Sequence, residues 1–137
     1  MFAILLRLAS MAPAHIAPQT VPGLMSDLVT ATADMSGTVE EMALAATFAT
    51  CEGGGLQHVI GDGGAAVGTT QLHEEHWHGY SRADVLGSRV LQIELWILSL
   101  REATERYGST EKALRAIASG SPNGAKALVR RRMAGKC

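Results

Sequence analysis

The chain has 137 residues, of which 47% are hydrophobic, 18% are charged and six are aromatic; this fits one domain with a small core and excludes a typical disordered chain. No run of eighteen apolar residues occurs, which excludes an ordinary spanning helix. The net charge of -1 hides a split: residues 1–81 carry one basic and eight acidic side chains, and residues 82–137 carry eleven basic and five acidic ones, so one end suits an anionic partner.

Residues 1–14 hold a short apolar stretch and an Ala12-Pro13-Ala14 end. Arg7 interrupts the stretch and no positive n-region precedes it, so the segment reads as an N-terminal arm or a weak signal segment. Residues 12–37 contain three prolines and several small polar residues, and are expected to continue as an irregular arm. The domain proper is expected over 38–137. Thr38 and Glu41 are spaced as a capping box, opening a helix over Val39–Cys51 that is apolar nearly all round and therefore central. Gly53, Gly54 and Gly55 end it.

Leu56–Ile60 and Val67–Leu72 read as short strands joined by the Gly61-Asp62-Gly63-Gly64 turn. Ser81 and Asp84 form a second capping box for a helix that stops near Gly87. Residues 88–107 are the longest periodic segment, with Leu91, Leu95, Leu98 and Ala103 among the expected core positions and Gly108 as C-cap. A short helix over Glu111–Ala118, a turn at Ser119–Gly124 and a basic helix over 125–133 complete the chain. The fold class is α+β, predominantly helical, with a small β-hairpin lobe. Cys51 and Cys137 set no disulfide framework: one pair and two free thiols both fit.

Glu52 is the sharpest chemical feature. It ends a very apolar helix, where the helix carries partial negative charge, and partial burial there disfavours an ionised carboxyl. Both effects favour the protonated carboxyl that a general acid requires. Asp62 lies ten residues on, in a turn that a hairpin folds back toward Glu52; paired carboxylates of unequal environment are the equipment for cleaving a glycosidic bond. An Asp in a Gly-rich turn also serves simply to support the turn. Gln71 follows Gly68-Thr69-Thr70 and is expected to line a cleft as a hydrogen-bond donor to sugar hydroxyls or an acetamido group, or to be an exposed strand residue.

Glu52, the run Gly61–Leu72 with its Gly68-Thr69-Thr70-Gln71-Leu72 end, and Trp77 together resemble the lysozyme-like lytic transglycosylase and muramidase superfamily. The resemblance covers about residues 39–130 and includes an alanine-rich later helix ending in a glycine turn, Ala113–Gly120. It implies a lysozyme-like fold with the hairpin lobe beside the active-site cleft, and Glu52 as catalytic acid/base with Asp62 orienting water in a hydrolase. Thr69, Thr70, Gln71, Trp77 and Ser119 are then substrate-binding residues. It further implies peptidoglycan as substrate and no metal or organic cofactor. Its sites of action are the periplasm, the cell exterior or a phage particle, with a cytoplasmic stage before release. The chain departs from the pattern at Ile117-Ala118-Ser119-Gly120, where many members carry Tyr-Asn-x-Gly. A catalytically inactive structural or adaptor protein, such as a phage virion component, is the alternative that this departure implies.

Two other patterns point elsewhere. His73-Glu74-Glu75-His76-Trp77-His78 lacks the four-residue histidine spacing of a zinc-protease helix, because position 77 is Trp, and no third ligand is spaced to complete a metal site. Lys126, Arg130, Arg131, Arg132 and Lys136 form a basic tail, which reads as a solvated helix face. Phosphates or an anionic wall are its alternative partners; without interleaved aromatics or a reading motif, nucleic acid is not the expected one.

Overall fold

The computed structural model describes residues 16–137, and the expectation for residues 1–14 lies outside them. The chain is mostly helical, with one two-stranded antiparallel element. Among the described residues six α-helices follow in order: α1 (Val21–Asp34), α2 (Val39–Gly53), α3 (Arg82–Leu86), α4 (Arg89–Tyr107), α5 (Thr110–Ser119) and α6 (Lys126–Met133). Strands β1 (Ile60–Gly61) and β2 (Ala66–Val67) lie between α2 and α3. No helix among the described residues is long and apolar enough to cross a membrane.

The expected irregular arm is corrected from Val21 onward, where the chain is helical. Pro22 sits in the first turn, where its missing N–H costs nothing. Leu24, Leu28, Ala31 and Thr32 then fall on one face at helical spacing and are all buried. Pro22 thus marks the helix start rather than a break.

The capping box of α2 forms as expected: Glu41 N–H donates to Thr38 Oγ1 at 3.0 Å, and Thr38 N–H donates to Glu41 Oε1 at 2.9 Å. Met42, Ala45, Ala46, Phe48 and Ala49 of α2 are buried. α4 is the central element, packing on α1, α2, α3 and α5. Of its expected core positions, Leu95 is buried, while Leu91 and Ala103 are half-buried against the core and Leu98 is half-buried. The inner face consists of Leu95 together with Gln92, Ile93, Trp96, Ile97, Ser99 and Leu100.

The expected hairpin is present but shorter than its apolar runs. Ile60 pairs with Val67 and Gly61 with Ala66, and a single further bridge joins Val67 to Leu72. Leu56 and Ile60 stay exposed. Side-chain amides take over the hydrogen bonding that a longer ladder would supply: the Gln57 carbonyl accepts from Gln92 Nε2 at 2.9 Å. Gln92 is fully buried and also donates to the Val85 carbonyl at 2.8 Å and accepts from Thr69 N–H at 2.8 Å. It fixes the loop before β1, the loop after β2 and α3 onto α4.

Cys51 and Cys137 form a disulfide, which decides between the two expected states. The charge split is also used internally. Arg89 pairs with Asp27 at 2.6 Å, Arg101 with Glu41 at 2.7 Å and Arg132 with Glu52 at 2.9 Å. Each pair joins an acid of the first part to an arginine of the second.

Candidate functional site

Glu52 lies in the last turn of α2. The next residue must be small: a Cβ on Gly53 would collide with the Thr69 backbone, so glycine lets the loop after β2 press against the helix end. Gly54 then adopts φ 60° and ends the helix in a left-handed cap. Across from Glu52, the Asp62–Gly64 turn and the Thr70–His73 segment close a narrow cavity of about 80 Å³. Its lining includes Glu52, Asp62, Thr70, Gln71 and His73. Phe48 and Trp96 stack with ring centroids 5.1 Å apart and line the same cavity, as do Ile117 of α5 and Leu128 of α6.

Two polar atoms from this lining are orphaned. Thr70 Oγ1 and Trp96 Nε1 are buried and have no hydrogen-bond partner among the described residues. A buried donor or acceptor left unpaired costs about 1–3 kcal/mol, a cost that a bound polar ligand or water removes.

The expected site residues separate into two groups. Glu52, Asp62, Thr70 and Gln71 share the cavity. Thr69, Trp77 and Ser119, also expected to bind substrate, are not among its lining residues, and their side chains bond within the protein. Thr69 is fully buried, and its hydroxyl donates to the Ala49 carbonyl at 2.9 Å, securing the C-terminal end of α2. Trp77 is 5% exposed and its indole N–H donates to the Leu72 carbonyl at 3.1 Å, so it packs as core. Ser119 Oγ donates to the Arg115 carbonyl at 2.8 Å, which holds the end of α5.

Gln71 lines the cavity, and its amide hydrogens are engaged within the hairpin. Its Nε2 donates to the Gly68 carbonyl at 2.8 Å and to the Val59 carbonyl at 3.3 Å, so the amide hydrogens pin the hairpin. A Cβ on Gly61 would collide with the Gln71 amide oxygen, which explains the glycine opposite it.

Two residues enter the site that the sequence reading placed elsewhere. His73 Nε2 meets Asp62 Oδ2 at 3.0 Å, so Asp62 holds an imidazole rather than standing alone. Arg132 is 6% exposed rather than part of a solvated face. Its Nε and Nη2 donate to Glu52 Oε1 at 3.0 and 2.9 Å, and its Nη1 donates to the Cys137 carbonyl at 2.6 Å. The signal for Arg132 is the cysteine pair: joining Cys137 to Cys51 carries residue 132 to the neighbour of Cys51. The histidine cluster also disperses, with His73 on Asp62, His78 on Glu102 at 2.9 Å, and His76 turned inward.

Comparison of the chain with protein-family models, with curated proteins and with solved structures finds no match.

Proposed function

We propose that this chain is a peptidoglycan-cleaving glycosidase of lysozyme-like fold, a lytic transglycosylase or muramidase acting on the β-1,4 bond between N-acetylmuramic acid and N-acetylglucosamine. The observation that carries the reading is the shared cavity: a helix-end glutamate, a turn aspartate and the hairpin's return segment line one space. The orphaned Thr70 Oγ1 and Trp96 Nε1 beside them suit a ligand rich in hydroxyl and acetamido groups.

In this reading Glu52 gives a proton to the leaving glycosidic oxygen as an oxocarbenium-like centre develops, then acts as base. In a transglycosylase it takes the proton of the muramic 6-hydroxyl, which closes an anhydro ring. In a hydrolase it takes the proton of a water oriented by the Asp62–His73 pair. Glu52 must first exchange Arg132 for substrate, because both hydrogen bonds from Arg132 end on Oε1. The cavity of about 80 Å³ is well below the roughly 300–1,000 Å³ of small-molecule sites. A sugar ring therefore requires the Leu128 wall of α6 to move outward and Arg132 to leave Glu52.

The second reading is an inactive lysozyme-like structural or adaptor protein, such as a virion component. Two observations favour it: Glu52 is held by a buried arginine, and apolar Ile117 and Ala118 line the wall where the resemblance calls for tyrosine and asparagine.

Digestion of purified cell-wall sacculi with mass analysis of the products separates these readings. Anhydro-muramic ends identify a transglycosylase and reducing muramic ends a hydrolase. Absence of both from walls of several chemistries contradicts the enzyme and favours the adaptor.

A further inference from the structure

A second cavity, of about 400 Å³, lies between α4 and α5, within the size range of small-molecule sites. Ile117 lines both this cavity and the one at Glu52, so the two adjoin. Its polar lining comes from Glu75, His76, Ser99, Glu102 and Arg106.

These groups are held in place. His78 Nδ1 lies 2.8 Å from the His76 carbonyl and its Nε2 lies 2.9 Å from Glu102 Oε2, so His78 braces Glu102. The Arg106 guanidinium lies 5.4 Å from the centroid of the Tyr107 ring, a cation–π contact that orients it. His76 Nε2 is buried, lies 3.4 Å from Glu75 Oε1, and makes no hydrogen bond among the described residues. Burial pushes the His76 pKa below the ordinary histidine value, which disfavours a charged ring. The charges left are two carboxylates and one guanidinium. The carbonyl end of α5, capped at Gly120, adds partial negative charge beside the carboxylates.

We propose that this groove binds a short peptide that carries both an ammonium and a carboxylate group. Glu102 and Glu75 take the ammonium, and Arg106 takes the carboxylate. Ala103, Ala116 and Ile117 supply the apolar floor. The ligand's identity rests on the glycan reading: the occupant is the peptide substituent of a muramic residue seated in the Glu52 cavity. The groove's charge pattern does not depend on that reading.

The test is titration of isotope-labelled protein with the N-terminally acetylated tripeptide Ala-γ-Glu-Lys, whose one ammonium is on the lysine, followed by NMR, with the version also acetylated at lysine Nε as control. Saturable shifts at Ser99, Glu102 and Arg106 are expected. Glu102→Gln and Arg106→Gln should each weaken binding by about tenfold, and acetylation by a similar factor. Absence of saturable shifts up to about 10 mM, or binding indifferent to all three changes, overturns the proposal. Cleavage of peptide-bearing and bare glycan strands is then compared. Peptide binding without cleavage of either strand sinks the glycosidase reading alone. Equal cleavage of both strands without peptide binding sinks this inference alone.

Discussion

Glu52 and Arg132 meet across eighty residues of chain, and Arg132 is spent almost entirely on that contact and on the backbone beyond it. Removing one partner of a mostly buried pair leaves the other uncompensated. Glu52 keeps a side-chain exposure of 27%, so Arg132→Gln is expected to cost about 2 kcal/mol rather than the 3–5 of a sealed pair. Urea unfolding measures this. Gln92 is the other residue on which the site depends. Gln92→Leu preserves volume but strands the Thr69 N–H and the Gln57 and Val85 carbonyls. A loss of about 3 kcal/mol is expected in the same measurement, near 1 kcal/mol for each orphaned group. Glu52 was legible in the sequence because its helix, its position at the helix end and the glycines after it are all local. Gln92 was not, and Arg132 only through the Cys51–Cys137 pair. Each looks like an ordinary polar residue on a helix, and its partners exist only once distant segments have closed.

Elements were most legible where caps are chemical and local. Both capping boxes and the glycine caps after α4 and α5 stand where the residue types put them. α1 is hard to read because Pro22 and the small polar residues near it look like punctuation rather than a helix start, and the hairpin looks longer than it is because apolar runs do not report which backbone groups find partners. The disulfide couples two elements, tying α2 to the segment after α6. It closes a span of 86 residues, so the chain-entropy model gives it about 4–5 kcal/mol. Cys51→Ser/Cys137→Ser should lose most of that in denaturant unfolding, and added dithiol should lower the oxidised wild type to the same value. Two carboxylates on helix interfaces carry opposite pH signatures. The Arg101 hydrogen bonds hold the Glu41 pKa below the ordinary value, so their stabilisation is present above the unfolded carboxylate range and lost as pH falls through the lower folded value. Burial, with Asp34 beside it, raises the Glu94 pKa, so its contribution is full below the unfolded value and lost as pH rises through the folded one. Glu94→Gln should therefore raise Tm at pH 7 and leave it unchanged below the carboxylate range. Glu41→Gln should lower Tm at pH 7, by an amount equivalent to about 1 kcal/mol given the partly open Arg101, with the difference vanishing in strong acid.

At the scale of the molecule, the acidic first part and basic second part meet each other. Asp27, Glu41 and Glu52 are matched by Arg89, Arg101 and Arg132, so much of the asymmetry that suggested an outside anionic partner is folded inward. The same matching closes the candidate site, since the third pair joins Glu52 to α6. The predominantly helical class with a small hairpin was legible from periodicity and turn residues. The closure was not, because which acid meets which arginine is decided by packing. The cavity that results makes Glu52 the residue on which the proposed chemistry stands. The most direct test is the initial rate of bond cleavage in purified peptidoglycan by wild type and by Glu52→Gln, with circular dichroism showing both folded. A general acid/base role requires the variant to lose about 10²–10⁴-fold in rate. Equal rates in the two proteins contradict it.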